Sequence, residues 1–289
     1  MSPGCGENRE IHLPVRFHIG LQRAGSTYLY NLLKSHSGVS LSRYQEVSYY
    51  TRNYRRGAGW YTATFDGQGV RVDMSPAYFR KGAQAAPRIH EALGSSQPLF
   101  LLILRNPVDY IHSYFQMNLR SGRFSKDGAR FKKAPGGLID FVKRNPAYLE
   151  RGLYADILEH QWLEYFEQTA FRIIFFEEFV QDTESYMKAI LDFFGIPHMR
   201  MTAAASSRNS LYRFGVLYRL RDFVIHKPKM KEWLKRSSVF NCVYRNLLTS
   251  GLPALKSDER AWLRDYFYRD VQRLRQIVGH LPEQWSEFR

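Results

Sequence analysis

Residues 15–35 read VRFHIGLQRAGSTYLYNLLKS, and this stretch decides the fold class. Residues 15–19 are typical of a short buried strand, and residues 26–35 carry apolar side chains at helical spacing. Between them lies a turn bounded by glycines. Such glycines let the backbone curl around an anion, and the first N–H groups of the following helix point at it. The stretch therefore predicts a phosphate-binding loop, GLQRAGST, at residues 20–27.

This loop departs from the nucleotide loop of ATPases, G-x-x-x-x-G-K-[ST], at one position. Ser26 stands where that pattern has lysine, and the cation comes earlier in the loop, as Arg23. An ordinary strand-to-helix turn with glycines is the structural alternative. The loop alone leaves both interpretations open.

A second stretch, LFLLILRNPVDYIHSYF, begins at residue 99. Its first six residues form a continuous apolar run, which is typical of a parallel strand buried on both faces. A magnesium-dependent NTPase carries an Asp at the end of such a strand, whereas this run ends in Arg105. Ser113 follows eight residues later, on a helix that begins at Pro107. Arg105 and Ser113 together predict a second phosphate site, although each alone is compatible with a surface residue.

The remaining pattern alternates strands and helices. Further strands are predicted at residues 70–73 and 171–176, and further helices at 86–93, 152–166, 185–194 and 257–278. Alternation of this kind predicts a three-layer, P-loop-like α/β fold with a mainly parallel sheet flanked by helices. We expect a flexible tail at residues 1–14 and one domain over residues 15–289. Within that domain, residues 206–255 form a basic, helical C-terminal segment.

The chain is strongly basic. It has 289 residues, 42 Lys and Arg against 27 Asp and Glu, a net charge of +15 and a pI of about 9.8. This excess favours an anionic ligand or partner. His and acidic residues do not cluster at ligand spacing, so no metal is predicted. The N-terminus has no apolar signal region, and we expect a soluble, cytoplasmic protein.

Two separate phosphate sites without a magnesium carboxylate match 3′-phosphoadenosine 5′-phosphosulfate (PAPS). The residues resemble the PAPS-dependent sulfotransferases, nearest the glycan branch of heparan-sulfate type and its bacterial relatives. The resemblance rests on LQRAGSTYLYNLL, LFLLILRNPVDYIHSYF, QEVSYY (45–50), DMSPAYF (73–79), GLYADILEHQWLEYF (152–166) and LDFFGIP (191–197), in the family's order.

The resemblance implies a role for each matching residue. The loop residues that would bind the 5′-phosphosulfate are Ala24, Gly25, Ser26, Thr27 and Tyr28. Arg23 takes the place of the family's usual lysine, with binding and catalytic roles, and Arg105 and Ser113 would bind the 3′-phosphate. Glu46, in QEVSYY, matches the general base of the glycan branch. A second lysine of that branch is replaced here by Met74.

Alternatives remain for the base and for the function. His18 and His112 are the other candidate bases, although His18 lies on a strand and is typical of a packed core histidine. An atypical P-loop kinase or NTPase would need magnesium and a lysine that the loop lacks. A nucleic-acid-binding protein would explain the charge, but the chain has no recognisable nucleic-acid module, and we expect no such partner.

The basic segment suggests how an acceptor is drawn in. Residues 208–245 hold ten Lys or Arg and two acids, interleaved with aromatic residues. We expect an anionic or carbohydrate-containing acceptor, with peripheral contact to a membrane surface through these residues. Arg208 and Arg213 would also reach the 3′-phosphate, since the family closes its donor site from this part of the chain. A solvated helical surface is the structural alternative.

Overall fold

The computed structural model describes residues 12–121, 137–198 and 254–289. Within these ranges the centre of the molecule is a five-stranded sheet in which every pairing is parallel. Its strands are β1 (Arg16–Gly20), β2 (Val39–Leu41), β3 (Val70–Met74), β4 (Leu99–Leu104) and β5 (Phe171–Phe175). The spatial order β2-β3-β1-β4-β5 makes β1 the middle strand.

This order places the first loop at the point where the chain switches sides of the sheet. From β1 the chain builds β2 and β3 on one side and then crosses to build β4 and β5 on the other. Parallel α/β sheets bind ligands outside the carboxyl ends of their strands at such a switch point. The loop after β1 and the residues that follow β3 and β4 therefore share one edge of the sheet.

Helices flank the sheet. They are α1 (Ser26–Lys34), α2 (Gly57–Thr62), α3 (Gly82–Leu93), α4 (Pro107–Ser121), α5 (Gly137–Arg144), α6 (Tyr154–Ile157), α7 (Phe176–Gln181), α8 (Thr183–Phe194) and α9 (Ser257–Val278). The predicted α/β class with a parallel sheet is confirmed. In β4, Phe100 to Leu104 have no exposed surface, as expected for a strand covered on both faces.

The helix predicted for residues 152–166 is present, but it is shorter and less regular than expected. The chain instead forms a short turn at Glu150–Gly152, then α6, then a wider π-helical turn at Leu158–Trp162. Packing constrains the chain just before α6: a Cβ on Gly152 would lie 2.7 Å from the ring of Phe267, so the backbone itself packs against α9. The Trp162 indole donates a hydrogen bond to the Phe79 carbonyl at 3.1 Å. This tertiary contact favours the wider turn over a regular α-helix.

Asp270 on α9 fixes the start of α6. Its two carboxylate oxygens accept the backbone N–H groups of Ala155 and Asp156, at 3.1 and 3.0 Å. These are N–H groups that a helix start leaves without an internal partner. Tyr154, the first residue of α6, then donates from its hydroxyl to the Arg105 carbonyl at 2.9 Å. The last long helix thus supports the end of β4 through α6.

Candidate active site

The loop after β1 has the conformation that its glycines predict. Gly25, which precedes α1, has φ of 83°, and a Cβ there would lie 3.1 Å from the Phe176 ring. The first turn of α1 contains no acidic residue. Its N–H groups and the positive end of the helix dipole are therefore not neutralised from within the helix, which is the arrangement that binds an anion. Ser26, Thr27 and Tyr28 form this first turn.

Arg23, Arg105 and Ser113 are brought together, although 90 residues separate the first from the last. The Arg23 guanidinium donates from Nε and Nη2 to Ser113 Oγ, both at 3.2 Å. Arg105 Nη1 donates to the Arg23 carbonyl at 3.1 Å. The structure therefore places the loop cation against the residues of the predicted second phosphate site. The sequence predicts two separate phosphate sites, whereas this contact joins their residues.

Asn106 connects the end of β4 to α4 and was not singled out from the sequence. Its side-chain oxygen accepts the N–H groups of Val108 and Asp109, at 3.0 and 3.4 Å. Its own N–H donates to Glu177 at 2.9 Å. These bonds fix the start of α4, and with it the position of Ser113 two turns later. An Asn directly before a helix-starting Pro is a capping signal that could have identified it.

Glu46 lies beside the phosphate loop. Gln22 of the loop donates from Nε2 to the Glu46 carboxylate at 3.3 Å. Glu46 also lines a small cavity together with Ser26, Tyr30, Gln45, Met74 and Pro76. Met74, which replaces the second lysine of the glycan branch, therefore faces the same space as the candidate base.

The environment of the Glu46 carboxyl changes its pKa. The residue as a whole is exposed, yet neighbouring atoms crowd its carboxyl. This partial desolvation raises the pKa of Glu46 above its ordinary value, while the Gln22 hydrogen bond and the charge of Arg52 limit the rise. A carboxylate with a raised pKa is a stronger base, which suits proton removal from an acceptor.

Asp73 anchors the segment that carries Glu46. This fully buried carboxylate accepts hydroxyl hydrogen bonds from Tyr61 at 2.6 Å, Ser75 at 2.5 Å and Tyr78 at 3.0 Å. The Ser75 and Tyr78 hydroxyls in turn accept the backbone N–H groups of Ser48 and Tyr50, both at 3.0 Å. The chain just after Glu46 is thus tied to the end of β3.

Burial raises the pKa of Asp73 to about 6, and its three hydroxyl partners oppose that rise. In the sequence, Asp73 opens the motif DMSPAYF. Its role is not visible in that motif alone, because Tyr61 and the backbone of Ser48 and Tyr50, which complete the network, lie on other segments.

One protein family matches more than half of the chain. The model of the sulfotransferase domain matches residues 16–215 of the chain. The chain belongs to the sulfotransferase family. Membership selects the sulfotransferase interpretation over the kinase or NTPase and nucleic-acid-binding alternatives.

Two curated relatives are similar to this sulfotransferase. The bifunctional heparan sulfate N-deacetylase/N-sulfotransferase of Drosophila melanogaster is 29% identical over 190 residues, which are 56% of this chain and 18% of that protein. The bifunctional heparan sulfate N-deacetylase/N-sulfotransferase 4 of Mus musculus is 27% identical over 216 residues, 67% of this chain and 24% of that protein. The chain thus spans about a fifth to a quarter of these relatives.

A solved structure supports the fold of the sulfotransferase. The crystal structure of a sulfotransferase from Alicyclobacillus acidocaldarius superposes with a TM-score of 0.64 and 18% identity. The match covers 95% of this chain and 99% of that one.

His18 and His112, the alternative candidates for the base, differ in their exposure to solvent. His18 on β1 has no exposed surface, and its Nδ1 lies 3.3 Å from the Leu101 carbonyl. Because that carbonyl only accepts, Nδ1 carries the proton. Burial lowers the pKa of His18 to about 4, so this sulfotransferase keeps it neutral and inside the sheet. His112 on α4 is partly exposed, with Nε2 3.2 Å from the Gln116 amide.

Two predicted site residues, Arg208 and Arg213, lie outside the described residues, as does nearly all of the basic segment 206–255. Over the described ranges, no group of three or more His, Cys, Asp or Glu side chains is placed to hold a metal ion. No helix in those same ranges combines the length and apolar character needed to cross a membrane.

Proposed function

We propose that this sulfotransferase moves the sulfuryl group of PAPS to a hydroxyl or amine of a carbohydrate acceptor. The observation that carries the proposal is the convergence of Arg23, Arg105 and Ser113 beside the amino end of α1, with Glu46 on the other side of the same loop. Two cations, a helix start without acids and a carboxylate then occupy one edge of the sheet.

The residues present fit a donor with two phosphate groups. The N–H groups at residues 24–28 suit a phosphosulfate, because a helix start binds anions without needing a metal. Arg105 and Ser113 suit the separate 3′-phosphate, since guanidinium and hydroxyl groups both donate to phosphate oxygens. When bound, PAPS supplies an activated sulfuryl group whose leaving partner is a phosphate.

Arg23 is positioned to serve both ends of the donor. Its backbone belongs to the loop, while its guanidinium reaches Ser113 on α4. The guanidinium stays protonated at all physiological pH values, so it neutralises charge and does not donate a proton. Charge that develops on the leaving phosphate during transfer is stabilised electrostatically, which is where phosphoryl-like transfers gain most of their rate.

Glu46 removes the proton of the acceptor. An attacking hydroxyl must lose its proton as the new bond to sulfur forms, and a carboxylate within hydrogen-bond reach can take it. Gln22 orients the Glu46 carboxylate toward the loop, and Asp73 holds the following backbone through Ser75 and Tyr78. We assign Gln22 and Asp73 positioning roles.

The carbohydrate class of the acceptor rests on the heparan sulfate N-sulfotransferases to which the chain is similar. Because the chain spans only part of those proteins, a carbohydrate acceptor is proposed for this chain and not shown by the similarity. We also propose that residues 208–245 attract an anionic acceptor, on the strength of their net charge. Arg208 and Arg213 remain proposed contacts of the 3′-phosphate.

Ligand-induced stabilisation tests the donor assignment. Adenosine 3′,5′-bisphosphate, the product left after transfer, should raise the melting temperature of the wild-type protein without any divalent metal. Mg-ATP at the same concentration should have a much smaller effect. Stabilisation by Mg-ATP alone would contradict the proposal and favour a nucleotide-hydrolysing or kinase function.

A further inference from the structure

Tyr44 and Trp60 form an exposed aromatic stack close to the candidate base. Their ring centroids are 6.0 Å apart, with 25° between the ring planes. Tyr44 is 49% exposed, more than any other large hydrophobic side chain in the described ranges. Exposed aromatic rings with a polar rim are typical of binding surfaces, so the groups around the stack decide its role.

Two arginines rim the stack, one at each ring. The guanidinium carbon of Arg56 is 4.2 Å from the Trp60 ring centroid, and that of Arg43 is 6.0 Å from the Tyr44 centroid. Arg43 also donates from Nη2 to the Ala63 carbonyl, which holds its side chain in place. Neither arginine takes part in the ion pairs formed among the described residues. A guanidinium above a ring keeps its in-plane N–H groups available to an oxyanion.

Backbone bonds hold the two rings in place. The Arg43 N–H donates to the Thr64 carbonyl at 2.9 Å, which joins the chain after β2 to the end of α2, the helix that carries Trp60. Tyr61, next to Trp60, is fully buried and donates from its hydroxyl to Asp73 at 2.6 Å. A surface that is ordered before its ligand arrives loses less entropy on binding.

The stack adjoins Glu46 along the chain. Tyr44 is two residues before Glu46, so their Cα atoms are at most about 7 Å apart. Gln45, between them, donates to Thr27 of α1 at 3.4 Å, and Gln22 of the phosphate loop donates to Glu46 at 3.3 Å. Residues 45 and 46 thus bond to the proposed donor side, while Tyr44 belongs to the stack. One oligosaccharide can therefore rest on the stack and reach the base.

The surface around the stack is basic and open. Residues 43–56 contain four arginines and a single acid, Glu46 itself. A Cβ on Gly57 or Gly59, at the start of α2, would meet no other part of the described chain within 4 Å. An anionic ligand therefore has both a complementary charge and room to approach.

We propose that Tyr44 and Trp60, with Arg43 and Arg56, bind an acidic sugar residue of the acceptor and so present its neighbouring residue to Glu46. The C–H face of a sugar ring packs on an aromatic ring, and a sugar carboxylate accepts hydrogen bonds from the guanidinium groups. That the bound carbohydrate is the acceptor rests on the proposed function. The binding of an acidic carbohydrate to the stack does not.

Two matched oligosaccharides test the proposal. One probe contains glucuronate, and the other is the same oligosaccharide with its carboxyl groups reduced to alcohols. Equilibrium dissociation constants for both probes, and for adenosine 3′,5′-bisphosphate, are measured with the whole chain at one fixed ionic strength. The variants are Tyr44→Ala, Tyr44→Phe and Arg56→Gln.

The chain offers a matched control for each part of the surface. Tyr266 is 41% exposed and stacks on Trp262 at 5.8 Å, with Lys143 Nζ 5.6 Å from the Trp262 ring centroid. This second stack lies on α9, so Tyr266→Ala removes an equivalent ring far in sequence from Glu46. Arg172→Gln is the charge control, because Arg172 is exposed near the amino end of β5.

The wild-type protein should bind the carboxylated probe about 10-fold more tightly than the reduced one. Tyr44→Ala should weaken both probes by about 5- to 20-fold, because the ring contacts the sugar face in each, and Tyr44→Phe should bind both like the wild type. Arg56→Gln should weaken only the carboxylated probe, by about 3- to 10-fold. Both controls should match the wild type, and affinity for the bisphosphate should stay within about twofold throughout.

Tyr44 and Arg56 are exposed, so their variants should keep the wild-type melting temperature, which is measured alongside. Oligosaccharide affinities that Tyr44→Ala and Arg56→Gln leave unchanged overturn the proposal, as does a wild-type protein that binds neither probe. An equal loss in Tyr266→Ala would also contradict it, because the effect would not belong to this stack. Bisphosphate affinity that falls with oligosaccharide affinity would assign the stack to the donor. Failure of the wild-type protein to bind bisphosphate would count against the proposed function, not against carbohydrate binding at this surface.

Discussion

The guanidinium of Arg23 lies against the hydroxyl of Ser113, with Nε and Nη2 each 3.2 Å from Oγ. One residue belongs to the loop after β1 and the other to α4, which follows β4. This contact joins the two predicted phosphate sites, so a change at either residue is expected to affect both. Arg105 strengthens the connection through its bond to the Arg23 carbonyl.

Arg105→Ala should weaken binding of adenosine 3′,5′-bisphosphate by about 10- to 100-fold, because it removes a charge-assisted contact worth about 1.5–3 kcal/mol. Isothermal titration calorimetry measures this directly. Arg172→Ala removes the same charge from the exposed part of β5 and should leave the affinity unchanged. Equal affinities for Arg105→Ala and the wild type would show that Arg105 does not bind phosphate.

Arg23 should be replaceable by lysine but not by a neutral residue. Arg23→Lys keeps a cation in the loop and should retain activity, whereas Arg23→Ala should lose it. Arg23 has φ of 73°, a left-handed conformation that strains alanine as much as arginine, so alanine removes the charge without adding backbone strain. Arg23→Gly relieves that strain without restoring charge. If loss of charge is the cause, the glycine and alanine variants are equally inactive; an active glycine variant would assign the effect to loop conformation.

Glu46→Gln should lower kcat by about 10²- to 10⁴-fold, because the amide cannot accept the acceptor's proton. Donor affinity should change little. Turnover of Glu46→Gln close to the wild-type rate would move the base to another residue, with His112 the next candidate.

The pH profile gives a second readout of the same residue. The acid limb of wild-type kcat should lie above pH 4.5, the ordinary pKa of Glu, because desolvation raises the pKa of Glu46. Gln22→Ala removes a bond that favours the carboxylate, so it should move this limb to higher pH. If the acid limb of Gln22→Ala lies at the same pH as that of the wild type, the hydrogen bond from Gln22 does not affect the catalytic base.

Asp73 should make stability depend on pH. Its pKa is about 6 in the folded protein against an ordinary value of 3.8, so the folded state binds more protons between these values. Stability then falls as pH rises through that window, by up to about 3 kcal/mol. Asp73→Asn should flatten this fall, measured by urea denaturation at several pH values.

The difference in stability between Asp73→Asn and the wild type isolates the contribution of Asp73. His18 also changes stability with pH, with the opposite sign, but it is present in both proteins and cancels. The pKa of His18 is about 4 in the fold against 6.5 ordinarily, so its contribution increases stability as pH rises between these values. Identical pH slopes in Asp73→Asn and the wild type would contradict a titrating Asp73.

The sequence predicted the elements whose patterns are strong and local. Leu99–Leu104 and Ser257–Val278 were predicted with the observed bounds, because a continuous apolar run and a long amphipathic repeat need no tertiary information. β2 was missed, since three residues give too short a pattern. The helix predicted at residues 152–166 is only partly confirmed, because Gly152 packs against α9 and Trp162 bonds to Phe79, and these tertiary contacts are not visible in the local pattern.

The candidate site likewise has parts that a local sequence pattern predicts and parts that depend on long-range contacts. The phosphate loop was identified from glycine spacing and its position between a strand and a helix. The contact of Arg23 with Ser113 and the Asp73 network join residues far apart in the chain. No local pattern encodes such contacts, so only the folded chain reveals them.

Transfer of labelled sulfate tests the central claim most directly. The wild-type protein is incubated with PAPS carrying ³⁵S and a panel of glycans, without divalent metal, and both the labelled product and adenosine 3′,5′-bisphosphate are quantified. The account predicts equal amounts of labelled glycan and bisphosphate for at least one acceptor, with product formation reduced at least about 100-fold in Glu46→Gln. Absence of label on every glycan, with PAPS left intact, would contradict it.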